Sequence, residues 1–118
     1  MRPALRHLLL MVEQEGIGPV RDAGLLASAA ERPWTTVMGA QAYPSAEEKA
    51  SALLHSVVTH HPLVDGNKRL GLLGAVVLLD LQGLRPDLAP DEAFTLVMDL
   101  ASGELRDVGD IARRVRTA

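Results

Sequence analysis

The chain has 118 residues, of which 47% are hydrophobic and 23% are charged, and its formal net charge is −3. This length predicts a single domain over residues 1–118, because it leaves too little chain for a second core. The absence of cysteine excludes disulfides and thiolate metal sites. The slightly acidic balance gives no electrostatic reason to expect direct binding of nucleic acid.

The apolar stretches of the chain are short. The run before Glu13 is shorter than a signal peptide requires, and the stretch 70–79 falls short of the roughly 20 residues that span a membrane. We therefore expect a cytoplasmic protein that has no membrane segment.

The predicted fold class is all-α. Only three residues are aromatic, namely Trp34, Tyr43 and Phe94, so the core must consist mainly of aliphatic side chains, which suits packed helices. Helical spacing of leucine and valine predicts a first helix over 3–15, which the EGIGP sequence ends. A second helix is predicted over 22–31.

The middle of the chain contains an irregular segment followed by a third helix. Residues 33–44 mix β-forming residues with a central glycine and a proline at each end, which predicts an extended loop or a short hairpin, here called the flap. Ser45 and Glu48 have the spacing of a capping box. The third helix is therefore predicted to begin there and to end near His60.

A central helix is predicted over 67–82, with Gly83 as its left-handed cap. Its surface is apolar almost all round, so other helices must cover it on several sides. Two further helices, predicted over 90–102 and 107–116, are available to do so.

The loop before the central helix carries most of the chemically reactive side chains. Its sequence, HHPLVDGNKRLG, precedes a helix N-terminus, where unpaired backbone donors and the helix dipole attract phosphate. Gly66 allows a close approach of the backbone, and Lys68 and Arg69 add side-chain donors. Asp65 is a hard oxygen ligand suited to Mg²⁺, and His61 can accept a proton at neutral pH.

These groups together predict phosphoryl or nucleotidyl transfer, which needs a base for the attacking hydroxyl and cations beside the moving phosphorus. The residue types alone leave a second interpretation open. A polar loop followed by Lys and Arg is also a common way to cap a helix, with no further function.

The string HPLVDGNKR resembles the signature of the Fic/Doc family, His-x-Phe-x-(Asp/Glu/Asn)-(Gly/Ala)-Asn-(Gly/Lys)-Arg. The resemblance implies a Fic-type helical fold and an ATP-dependent enzyme. It implies that His61 is the general base, that Asp65 positions Mg²⁺, and that Gly66 and Asn67 form the phosphate-binding turn. Lys68 and Arg69 would bind the phosphates of ATP. The flap would pair with the protein substrate by strand addition.

Two departures from the signature bear on the reaction. Leu63 replaces the usual aromatic anchor of the loop, and a smaller anchor is expected to loosen it. Lys68 and Leu72 replace the glycine and the second arginine of the AMP-transferring members. The Asn-Lys-Arg form resembles Doc-type toxins, and therefore implies a kinase that acts on elongation factor Tu and a Phd-like antitoxin that neutralises it.

Several alternatives remain at this stage. The chain could be an AMP transferase on the same scaffold, or a catalytically weakened module that binds an antitoxin or a target. A metal cluster of His55, His60, His61 and Asp65 is conceivable, but further acidic ligands are lacking. Trp34 could stack on a target, although an aromatic residue beside a proline more often covers the edge of a core.

Overall fold

The computed structural model describes residues 3–115 and residue 117. It is an all-α fold with one short hairpin, as the sequence predicts. The helices are α1 (Leu5–Glu15), α2 (Ala23–Glu31), α3 (Ala46–His60), α4 (Asn67–Leu81), α5 (Pro90–Ser102) and α6 (Val108–Arg114). A 3₁₀ turn (Arg32–Trp34) and the strands β1 (Thr36–Val37) and β2 (Ala40–Gln41) lie between α2 and α3.

Three helix ends have the capping residues that the sequence predicts. The carboxylate of Asp22 accepts from the backbone N–H of Leu25 at 3.0 Å and caps α2. The capping box of α3 is present, since Glu48 N donates to Ser45 Oγ at 3.0 Å and Ser45 N donates to Glu48 Oε1 at 3.4 Å. Gly83, with φ +79°, ends the central helix in the left-handed conformation.

Helix ends differ from the predictions by one or two residues. Helix α1 begins two residues after position 3, and α4 ends one residue before Gln82. Helix α6 begins after Asp107, which is its N-cap and accepts from Gly109 N at 3.0 Å. It ends at Arg114 with Val115 as its C-cap, one residue short of the prediction there, and position 116 lies outside the described residues.

The core is aliphatic and centres on the pair α3 and α4. A Cβ atom at Gly71 would lie 3.0 Å from Val58 Cγ2, so glycine lets these two helices approach closely. Helices α1 and α5 also pack on α4, whereas α6 packs mainly against α3. Among the described residues, no helix combines the length and the hydrophobicity that a membrane span requires.

The flap is a hairpin whose turn residues, Met38 and Gly39, both have positive φ, the conformation of tight hairpin turns. Its base is fixed to α3 by Lys49, which is 4% exposed. The ammonium group donates to Gln41 Oε1 at 2.6 Å and to the carbonyl oxygen of Tyr43. It also lies 5.5 Å from the ring centre of Trp34, which is half-buried against the core as predicted.

Candidate active site

One cavity of about 390 Å³ contains the residues predicted to take part in phosphate transfer. It lies where α3 ends and α4 begins, and one residue of α5, Ala101, closes it from the side. Its lining includes all six predicted residues, His61, Asp65, Gly66, Asn67, Lys68 and Arg69. The structure therefore brings the predicted site together.

His61 occupies an unusual backbone position. It caps the end of α3 with φ 54° and ψ 59°, a left-handed conformation that few residues other than glycine adopt. The guanidinium of Arg21 stabilises this end, since Nε donates to the carbonyl oxygen of His61 at 2.7 Å and Nη2 donates to that of His60 at 3.0 Å. Within the described residues the exposed His61 ring makes no hydrogen bond, so its nitrogens are available to a substrate.

The segment 17–22 holds the loop in place along its length. Val20 and Leu63 form an isolated antiparallel bridge, and hydrogen bonds continue on both sides of it. Val64 N donates to Pro19 O at 2.9 Å, and Gly18 N donates to Asp65 O at 3.0 Å. The sequence signals only the end of α1 and the start of α2 here, because an irregular pairing between distant loops has no periodicity.

The side chain of Asn67 has a positioning role. It is 9% exposed, its Oδ1 accepts from Leu63 N and its Nδ2 donates to Leu63 O, both at 2.9 Å. The amide therefore holds the loop through two hydrogen bonds, and the backbone N–H of Asn67 remains for a phosphate. Leu63 itself is 1% exposed, so leucine fills the anchor position despite its smaller size.

Gly66 is required at the start of α4 for two reasons. Its φ of +94° disfavours any side chain, and a Cβ atom would lie 2.6 Å from Ile17 Cβ. No side chain caps α4 here, and the N–H groups of Asn67, Lys68 and Arg69 have no acceptor among the described residues. Three aligned donors thus face the same cavity, which is the arrangement that binds a phosphate.

The charged residues of the loop differ in the contacts that they make within the described residues. Asp65 is exposed, and its Oδ1 accepts from Gly66 N at 3.0 Å. Its other oxygen has no partner in the described part of the chain, so this carboxylate could supply a ligand to Mg²⁺. Lys68 is exposed at the cavity edge.

Arg69 is paired with a residue that the sequence did not indicate. Its Nη2 lies 2.8 Å from Glu15 Oε1, at the end of α1. The arginine side chain is 64% exposed, and exposed pairs of this kind contribute about 0–1 kcal/mol. A phosphate group can therefore compete with Glu15 for the guanidinium.

A metal cluster built on the histidines finds no support. Among the described residues, no group of three or more histidine, aspartate and glutamate side chains could hold a metal ion. His55 Nδ1 lies 2.7 Å from Arg32 Nη1, a cationic donor. Burial, followed by the charges of Arg32 and His60, lowers the pKa of His55, so this imidazole stays neutral and engaged with Arg32.

The two hydrogen bonds of the Asn67 amide predict that this side chain stabilises the fold. Asn67→Ala is expected to lower the free energy of unfolding by about 1–3 kcal/mol, because it leaves the buried N–H and carbonyl of Leu63 without partners. Urea denaturation measures this difference. The control is Gln14→Ala, which removes an exposed amide from α1 and is expected to change stability by less than about 0.5 kcal/mol. Equal stability of both variants would show that the amide does not hold the loop.

Comparison with known proteins identifies the family of this chain. The model of the Fic/DOC family matches residues 4–79, which include the cavity loop and the segment that holds it. A protein named Toxin Doc from Mycolicibacterium smegmatis is 43% identical over 95 residues, which cover 79% of this chain and 72% of the relative. On these matches, the chain belongs to the Fic/DOC family.

Proposed function

We propose that the chain is a Doc-like toxin that transfers the γ-phosphate of ATP to a serine or threonine hydroxyl of a protein. The observation that carries this proposal is that one cavity brings together the His61 ring, an oxygen of Asp65, three N–H donors of the α4 N-terminus and two cations; no described residue binds the ring, that oxygen or those donors. Membership of the family and the name of the relative support the toxin function.

The proposed roles follow from the contacts of each residue. His61 accepts the proton of the attacking hydroxyl, and Arg21 keeps the histidine at the mouth of the cavity. The N–H groups at the start of α4, with Lys68 and Arg69, hold the phosphates and stabilise the charge that develops during transfer. Asp65 would hold Mg²⁺, which supplies further neutralisation of phosphate charge when it is bound.

The choice between phosphate and AMP transfer depends on two side chains. In the AMP-transferring members a glycine leaves space beside the asparagine, and a second arginine holds the leaving phosphates. Here Lys68 occupies the first position, and Leu72 brings no charge to the second. Loss of such a donor typically costs about 3 kcal/mol of transition-state stabilisation, which disfavours AMP transfer. A nucleotide with its γ-phosphate beside His61 avoids this cost.

The resemblance to Doc toxins makes elongation factor Tu the proposed substrate and a Phd-like antitoxin the proposed partner. The exposed flap offers hairpin edges on which a substrate strand could add. Leu9 and Leu10 of α1 are 43% and 50% exposed, and they offer apolar surface to an antitoxin segment that folds as a helix on binding. Contact with nucleic acid would come only through the antitoxin.

A catalytically weakened binding module is the second candidate, and the replacement of the aromatic anchor is its motivation. The burial of Leu63 and its two hydrogen bonds to Asn67 weigh against it, because they hold the loop without an aromatic ring.

The proposed base can be tested with a neighbouring histidine as its control. His61→Ala is expected to slow modification of the target by about 100- to 10,000-fold, while Mg-ATP binding measured by calorimetry stays near that of the parent. His60→Ala, one residue earlier and also exposed, is expected to retain most of the rate. The assignment is wrong if the two variants lose activity equally, provided that circular dichroism shows both to be folded.

Toxicity can be tested in growing cells. Induction of the chain without a partner is expected to arrest growth, because the active-site cavity is open and no partner segment blocks it. Induction of His61→Ala at the same protein level is expected to leave growth unaffected. If the soluble parent chain proves harmless, the toxin proposal and the need for an antitoxin both fail.

A further inference from the structure

Lys49 is a buried lysine to which the roles proposed above assign no part in the reaction. Its three ammonium donors have three oxygen acceptors, namely Gln41 Oε1 at 2.6 Å, the carbonyl oxygen of Tyr43, and that of Pro44 at 3.3 Å. All three acceptors belong to the flap. Packing alone does not require a charge here, since an apolar side chain of similar length avoids the cost of desolvating an ammonium group.

The strands of the flap have little packing of their own. Every residue from 36 to 41 is exposed, and the turn residue Met38 is exposed completely. A two-stranded hairpin is at best marginally stable in water without further support. The hydrogen bond between Lys49 and Gln41 supplies such support, because it ties strand β2 to helix α3.

The same hydrogen bond fixes the orientation of the hairpin. Thr36 pairs with Gln41 and Val37 pairs with Ala40, so the two pairs lie on opposite faces. The Gln41 side chain bonds to Lys49, so its face is directed towards α3, and the opposite face carries Val37, which is 60% exposed. With its faces fixed, the hairpin presents its backbone edges in one direction to a strand that adds to them.

Helix α3 links the flap to the proposed base. Lys49 lies in its first turn, and His61 is its C-cap. The rise between these two residues is about 18 Å at 1.5 Å per residue, and a packed helix is rigid over this length. A flap held by Lys49 therefore keeps one position relative to His61, and so does a substrate strand that pairs with the flap.

We propose that Lys49 is a positioning residue for the protein substrate, which acts by holding the flap through Gln41 in the orientation that pairs with a substrate strand. This inference rests on the proposed function and adds to it a residue that contacts neither the nucleotide-binding loop nor the substrate. Without the hydrogen bond, only a fraction of the molecules would have the competent orientation, and the apparent affinity for the substrate falls by that fraction.

The contact can be removed from the side of the flap, which leaves the carbonyl oxygens of Tyr43 and Pro44 bound to Lys49. Gln41→Ala is expected to raise the KM for elongation factor Tu about tenfold, which corresponds to about 1.4 kcal/mol, the magnitude of one hydrogen bond to a charged group. The kcat and the KM for Mg-ATP are expected to stay within about twofold of the parent, because a bound substrate selects the competent orientation. Gln41→Glu keeps an acceptor oxygen at the same place and is expected to restore the KM of the parent.

The other partner is tested by Lys49→Met, which keeps an unbranched side chain and removes the ammonium group. It is expected to raise the same KM, and addition of Gln41→Ala is expected to raise it no further, because both substitutions remove one contact. Gln14→Ala is the matched control, since Gln14 is an exposed glutamine of α1 outside the flap. It is expected to keep the KM and the kcat of the parent.

Several results would overturn the inference while the parent chain is active. These are an unchanged KM in Gln41→Ala, a fall in kcat instead of a rise in KM, and effects of the two substitutions that multiply in the double variant. If circular dichroism shows that Lys49→Met does not fold, the two Gln41 variants decide, and an equal KM in both contradicts the inference. A parent chain that does not modify elongation factor Tu contradicts the proposed function itself, and the inference fails with it.

Discussion

The pairing between segment 17–22 and the loop 61–65 is the constraint on which the rest of the site depends. The loop has no regular structure of its own, and backbone bonds to Pro19 and from Gly18 fix its path. Arg21 adds two bonds from its guanidinium to the end of α3. Irregular backbone is stable only when its polar groups are satisfied, and here a distant segment satisfies them. The cavity therefore exists because two loops are joined.

The hydrogen bonds that hold the loop engage some polar groups of the site and leave others available to a ligand. The side-chain amide of Asn67 and the backbone of Leu63 form hydrogen bonds with each other that hold the loop. No described residue forms a hydrogen bond with the first-turn N–H groups of α4, the His61 ring or one oxygen of Asp65. A rigid frame that presents unpaired donors at a helix N-terminus is preorganised for phosphate, because it requires little rearrangement on binding.

Sequence patterns predicted the fold well where the signals are local. The capping residues Asp22 and Ser45 and the left-handed Gly83 have short-range causes, and the structure places them as predicted. Local patterns cannot show which distant segments meet. Arg21 and Glu15 were missed for this reason, since their partners lie 40 and 54 residues further along the chain. The predicted site residues lie together because they share one loop, which is a local property of the sequence.

We propose that this frame presents the γ-phosphorus of ATP to a protein hydroxyl. Intact mass measurement of elongation factor Tu, incubated with the purified chain and Mg-ATP, tests it most directly. We expect a mass gain equal to one phosphate, and no gain when His61→Ala replaces the parent. A gain equal to AMP would contradict it, and would show that Lys68 and Leu72 do not exclude the other orientation of the nucleotide.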